Sequence, residues 1–170
     1  WTSPEVDDKG NLTVTFGSGD EHLVFVAHLD ETGYVVASIE DDGTLLVDKR
    51  GGFYDRYYEA RAVLVHTRRG PVSGIVMPRS GYSRRADADA EFTANSIRVY
   101  LGTDSRKDTE SIGIRTGDSI TVPKQLVPLA NGYATARSFD DRSGCTALLL
   151  ALMGIDPSTV TKRITFAWVV

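Results

Sequence analysis

The chain has 170 residues, room for one sizeable domain or two small ones, with an ordinary apolar content of 41% and charged content of 25%. A net charge of −4 gives no reason to expect a nucleic acid or an anionic membrane as partner, and no apolar run is long enough to span a bilayer. The one cysteine, Cys145, excludes an intrachain disulfide and fits a reducing, cytoplasmic setting.

Asp7-Asp8-Lys9-Gly10-Asn11 is a turn signal, and the alternating, β-rich residues 12–16 read as a strand. A second turn, Gly17-Ser18-Gly19-Asp20, leads to the apolar run Leu23-Val24-Phe25-Val26, which reads as a buried strand of a parallel sheet ending at Ala27. The tight link between these strands suggests that they pair with each other, antiparallel.

From Tyr34 the texture changes. Strands are expected at residues 34–39, 44–47, 62–66, 72–77, 96–101 and 119–123. Asp41-Asp42-Gly43 and Arg68-Arg69-Gly70-Pro71 read as turns, Gly51-Gly52-Phe53 as a break, and residues 78–91 as an exposed polar loop. Residues 104–113 read as a short helix, capped by Asp104 or Ser105 and stopped by Gly113. Many short strands at close spacing argue for a small β-barrel or sandwich.

Near Gln125 the texture changes back. Two short strands flank the turn Ala130-Asn131-Gly132. Residues 145–153 form a helix that is apolar nearly all round and therefore expected to be largely buried. Residues 164–170 read as a final buried strand, the second half of a β-α-β unit. The expected fold class is α/β, with residues 1–33 and 123–170 forming a discontinuous domain and residues 34–122 a β-rich insertion. The opening Trp1-Thr2-Ser3-Pro4 and the strand-like close lead us to expect a piece of a longer chain.

Two polar stretches carry candidate chemistry. Ala27-His28-Leu29-Asp30-Glu31-Thr32-Gly33 follows a strand, where open α/β sheets hold ligands. His28 offers an imidazole nitrogen as a metal ligand, and Asp30 can accept from the other ring nitrogen and orient it. In Ser138-Phe139-Asp140-Asp141-Arg142-Ser143-Gly144, Asp140 can place a carboxylate between two cations, the frame of a two-metal hydrolase. The alternative is structural: Asp141 as a helix cap, Arg142 paired locally, and His28 as a hydrogen-bonded strand-end histidine. His22 and His66 read as structural or solvated. Cys145 reads as packing, and Ser138 and Ser143 have no histidine but His28 to activate them.

Five stretches in order resemble the M42 family of metallo-aminopeptidases. They are the His28 and Asp140 stretches, the latter extended to Cys145, Gly51-Gly52-Phe53, Val99-Tyr100-Leu101-Gly102-Thr103-Asp104-Ser105 and Gly113-Ile114-Arg115-Thr116-Gly117-Asp118. Thr32 stands where an apolar residue is usual and Phe53 where Trp is frequent, neither a ligand position. The resemblance implies an α/β domain with a dinuclear metal centre, zinc or cobalt, interrupted by a PDZ-like β-barrel domain used in dimerisation. By position, His28 is a metal ligand, Asp30 the catalytic-site acid that orients it, and Asp140 the bridging carboxylate, with a cis Asp140–Asp141 peptide bond. The implied substrates are peptides, the implied reaction the release of N-terminal residues by a water bridging two metals, and the implied assembly a homo-oligomer from dimer to dodecamer. The family's general base, a Glu, and its remaining ligands would follow the last strand, so the 170 residues alone are expected to bind metal weakly and to be inactive. Two further readings stay open: a dinuclear phosphoesterase, for which the Arg68-Arg69 and Arg84-Arg85 pairs lie in loops of the insertion, and a non-catalytic assembly module presenting Phe53, Tyr54, Tyr57 and Tyr58.

Overall fold

The computed structural model describes residues 3–78 and 97–170. The expected loop at 78–91, with Arg84-Arg85, lies almost wholly outside them. The chain divides into two compact units, Trp1–Glu31 with Leu126–Val170, and Thr32–Gln125. Strands β1 (Glu5–Val6), β2 (Leu12–Phe16) and β3 (His22–His28) belong to the first unit. The second holds β4 (Gly33–Ile39), β5 (Leu45–Arg50), β6 (Ala62–Thr67), β7 (Gly70–Val76), β8 (Arg98–Tyr100), α1 (Arg106–Ser111) and β9 (Ser119–Thr121). Back in the first unit follow β10 (Val127–Pro128), β11 (Ala134–Thr135), α2 (Phe139–Gly154) and β12 (Arg163–Val169).

In the first unit the sheet order is β1-β2-β12-β3. β12 pairs antiparallel with β2 and parallel with β3. The expected β2–β3 hairpin therefore does not form, because the apolar β12 inserts between the two strands and bonds to both. The link between them runs past the start of β12, and its glycines are needed there. A Cβ on Gly19 would lie 2.5 Å from the Thr161 carbonyl oxygen, and Gly17, at φ +76°, would drive one into the Lys162 carbonyl.

The register puts Ile164, Phe166 and Trp168 on one face with Val14, Phe16, Phe25 and Ala27. Phe166 stacks on Phe16 and Phe25 at 6.0 and 5.4 Å between ring centres. α2 lays Cys145, Leu148 and Leu152 on this face, and the Trp168 indole donates to the Cys145 carbonyl at 3.1 Å. Two expectations of burial fail here. Residues Leu23, Val24, Phe25 and Val26 are 41–58% exposed, because β3 is the sheet's edge strand among the described residues. α2 buries Cys145 alone and leaves Leu149, Leu150 and Met153 exposed, because only one of its faces meets the sheet.

The second unit is a closed six-stranded barrel, β4-β5-β8-β7-β6-β9, rather than a sandwich. Closure leaves it no free sheet edge. Alternate residues point inward: Tyr34, Val36, Leu45, Val47, Val63, Val65, Val99 and Ile120 are all buried. At α1, Ser105 is the cap, its hydroxyl accepting from the Asp108 N–H at 3.2 Å, and Gly113 follows the end at φ +101°. The four aromatic residues offered as a surface separate. Tyr58 is buried and Phe53 packs on the barrel core beside Tyr34, whereas Tyr54 and Tyr57 are exposed and meet edge to face at 5.7 Å.

Leu45 is fully buried in that core. Leu45→Ala is expected to lower the barrel's stability by about 2–5 kcal/mol, read from denaturant unfolding followed by the near-ultraviolet signal of the buried tyrosines.

Candidate metal centre

His28 is the last residue of β3, paired with Val169 of β12. The ladder continues one bond further, Leu29 N–H donating to the Val169 carbonyl at 2.6 Å, so the strand end is held firmly. Asp140 lies where α2 begins, in a stretch that is not yet helical. Ser138 is left-handed at φ 69°, Asp140 is extended, and the Asp140–Asp141 peptide is cis. The helix proper is tied to β3 as well, since the Cys145 thiol donates to the His28 carbonyl at 3.2 Å.

These placements bring the two polar stretches together. His28 Nε2 lies 2.9 Å from Asp140 Oδ1, and Nδ1 lies 3.2 Å from both the carboxylate and the carbonyl oxygen of Asp30. The Asp140 side chain is 95% exposed and the imidazole 44%, so the meeting is open to solvent. The hydrogen bond to Asp140 raises the His28 pKa above the ordinary imidazole value, with the carbonyl of Asp30 and the charges of both aspartates adding to the rise and burial opposing it.

An imidazole nitrogen facing a carboxylate oxygen is a donor pair that suits zinc or cobalt, a cation taking the place of the shared proton. The pair stands alone: among the described residues no group of three or more His, Cys, Asp or Glu side chains could hold a metal. Asp141 does what the structural alternative expected, accepting the Gly144 N–H at 2.9 Å as a helix cap. Arg142 forms no ion pair among the described residues.

One tie escaped the sequence reading. Arg137 grips Glu31 with two parallel bonds, Nε to Oε2 at 2.8 Å and a terminal nitrogen to Oε1 at 3.0 Å, and the Ser138 hydroxyl also donates to Glu31. Glu31 lies in the His28 stretch and Arg137 directly before the Asp140 stretch, but opposite charges so far apart in sequence carry no sign of pairing. The remaining candidates are structural: His22 bonds Thr165, His66 bonds Thr121, and Ser143 donates to the Phe139 carbonyl. Arg69 is held on the Ser111 carbonyl.

The model of M42 glutamyl aminopeptidases matches residues 10–170. The chain belongs to this family. Relatives include the lysyl aminopeptidase of Pyrococcus furiosus, 30% identical over 86% of this chain and 43% of that protein. The glutamyl aminopeptidase of Lactococcus lactis is 29% identical over 86% of this chain and 43% of its own length. Among solved structures, the TET1 peptidase of Pyrococcus horikoshii, which can assemble into a tetrahedron or a large octahedral shell, superposes with a TM-score of 0.84. It is 28% identical, over 98% of this chain and 50% of that one. The chain thus spans less than half the length of these two curated relatives.

Because its folded pKa is raised, protonated His28 stabilises the fold at low pH, and this contribution is lost as pH rises through the raised value. In the metal-free protein, imidazole NMR titration is expected to find His28 titrating above the usual range, and Asp140→Asn to bring it back toward that range.

Proposed function

We propose that the whole protein is a metal-dependent aminopeptidase and that the first unit carries part of its metal centre. His28 and Asp140 would hold the metals, Asp140 bridging two divalent ions of zinc or cobalt. Asp30 would act as a positioning residue, fixing the ring through Nδ1 so that Nε2 is presented outward. The observation that carries this reading is the 2.9 Å approach of His28 Nε2 to Asp140 Oδ1, between stretches 112 residues apart in the chain. When bound, the metal pair supplies Lewis acidity toward the scissile carbonyl and an activated water. Peptides with a free N-terminus are the substrates that family membership favours.

At this place the described residues offer one imidazole and one carboxylate that could bridge, short of what two metals would need. The 170 residues alone are therefore expected to bind zinc weakly in calorimetry and to release no amino acid from peptides.

The barrel unit would be a PDZ-like domain used in self-association, giving homo-oligomers. The exposed Tyr54–Tyr57 pair supports this assembly role, since exposed aromatic residues are enriched at interfaces.

The test uses the full-length protein with a panel of N-terminal aminoacyl anilides. Activity is expected with zinc or cobalt and lost on chelation. His28→Ala and Asp140→Asn are expected to abolish it, and Asp30→Asn to lower it about 10–100-fold. Undiminished turnover in His28→Ala would contradict the reading.

A further inference from the structure

The grip of Arg137 on Glu31 lies at a telling place. Glu31 follows His28 by three residues, and Arg137 precedes Asp140 by three. The fork thus closes a small ring whose two arms end on the imidazole and on the carboxylate. Both partners are largely shielded, at 15% and 23% exposure, while Asp140 itself is almost wholly exposed. A planar guanidinium that bonds a carboxylate through two parallel N–H groups fixes distance and angle together, as a lysine cannot. Shielding from solvent strengthens such a pair and lessens its screening by salt.

The loop on the Asp140 side needs such a tie. Ser138 sits at φ 69° and Asp140 and Asp141 depart from helical geometry, so the segment lacks a regular helical backbone and is spanned by a single helix-type bond, Arg142 N–H to the Ser138 carbonyl at 3.2 Å. Ser138 also donates to Glu31, so two consecutive residues of the loop are pinned to one carboxylate.

We propose that Glu31 and Arg137 are a positioning pair that sets the His28-to-Asp140 separation for metal binding. The proposal rests on the metal-centre reading given under the proposed function. Neither residue touches the metal; they act by holding the loop from which Asp140 projects. Without the fork, Asp140 would sample a wider arc, and the two donors would meet in the right geometry only part of the time.

The experiment titrates zinc into the metal-free full-length protein in competition with a chromophoric chelator, and measures thermal unfolding of each metal-free variant in parallel. Glu31→Gln keeps the shape and removes the charge; Arg137→Lys keeps the charge and removes the fork. Zinc affinity is expected to fall about 10–100-fold in Glu31→Gln and by a smaller factor in Arg137→Lys. The double variant Glu31→Gln/Arg137→Met is expected to bind no more weakly than Glu31→Gln, because the two residues act as one device. Val14→Ala, in the sheet core, is the control: it should lower the melting temperature and leave zinc affinity unchanged. Should Glu31→Gln fail to fold, Arg137→Lys decides alone.

A fall in melting temperature with zinc affinity held within twofold of the wild type would make the pair merely structural and overturn the proposal. If the wild-type protein itself binds no zinc, the metal-centre reading fails and the proposal with it. If the wild type binds tightly and both variants match it, the positioning role alone is wrong.

Discussion

The parallel pairing of β12 with β3 is the constraint on which the first unit depends. Seven residue pairs, from Arg163 with His22 to Val169 with His28, set the register. Two parallel strands cannot be joined by a tight turn; the chain must first travel back along the sheet. Here α2 makes that return, packed on the face that carries Phe166 and Trp168. A helix leading into β12 and running back over the sheet must begin near the end at which β3 stops. The start of α2 and the end of β3 are thereby brought together, and with them Asp140 and His28. Ligand sites at the carboxyl ends of strands follow from the same geometry in open α/β folds generally.

Much of the layout was legible because local signals were strong and agreed. The alternation of residues 12–16, the Ser105 cap with Gly113 beyond it, and the Asn-Gly turn at 131–132 each encode a backbone conformation without help from distant residues. What failed was long-range. The glycines at 17 and 19 look like a hairpin turn, yet they serve close passage beside β12, which the sequence places more than 140 residues later. Apolar content was misread as burial in β3 and α2. Composition states what a surface prefers, and whether a neighbour covers it is decided by topology.

The chemical stretches divide in the same way. That His28 and Asp140 could cooperate was readable from their residue types and from the strand and helix that present them. The Glu31–Arg137 fork was not, because an acid and a base distant in sequence are indistinguishable from solvated surface charges until the fold brings them together. Adjacent aspartates also proved unequal. Asp141 is spent on the Gly144 N–H as a cap, which leaves Asp140 to face the imidazole. Of the two, the capping role falls to Asp141 alone, and Asp140 is the one that meets His28.

The most direct measurement is diffraction from zinc-loaded crystals of the full-length protein at wavelengths on either side of the zinc absorption edge. The account predicts an anomalous peak about 2.0–2.2 Å from both His28 Nε2 and an Asp140 oxygen, with a second peak on the other Asp140 oxygen. Zinc peaks only at sites remote from these two side chains, or none at all, would contradict it.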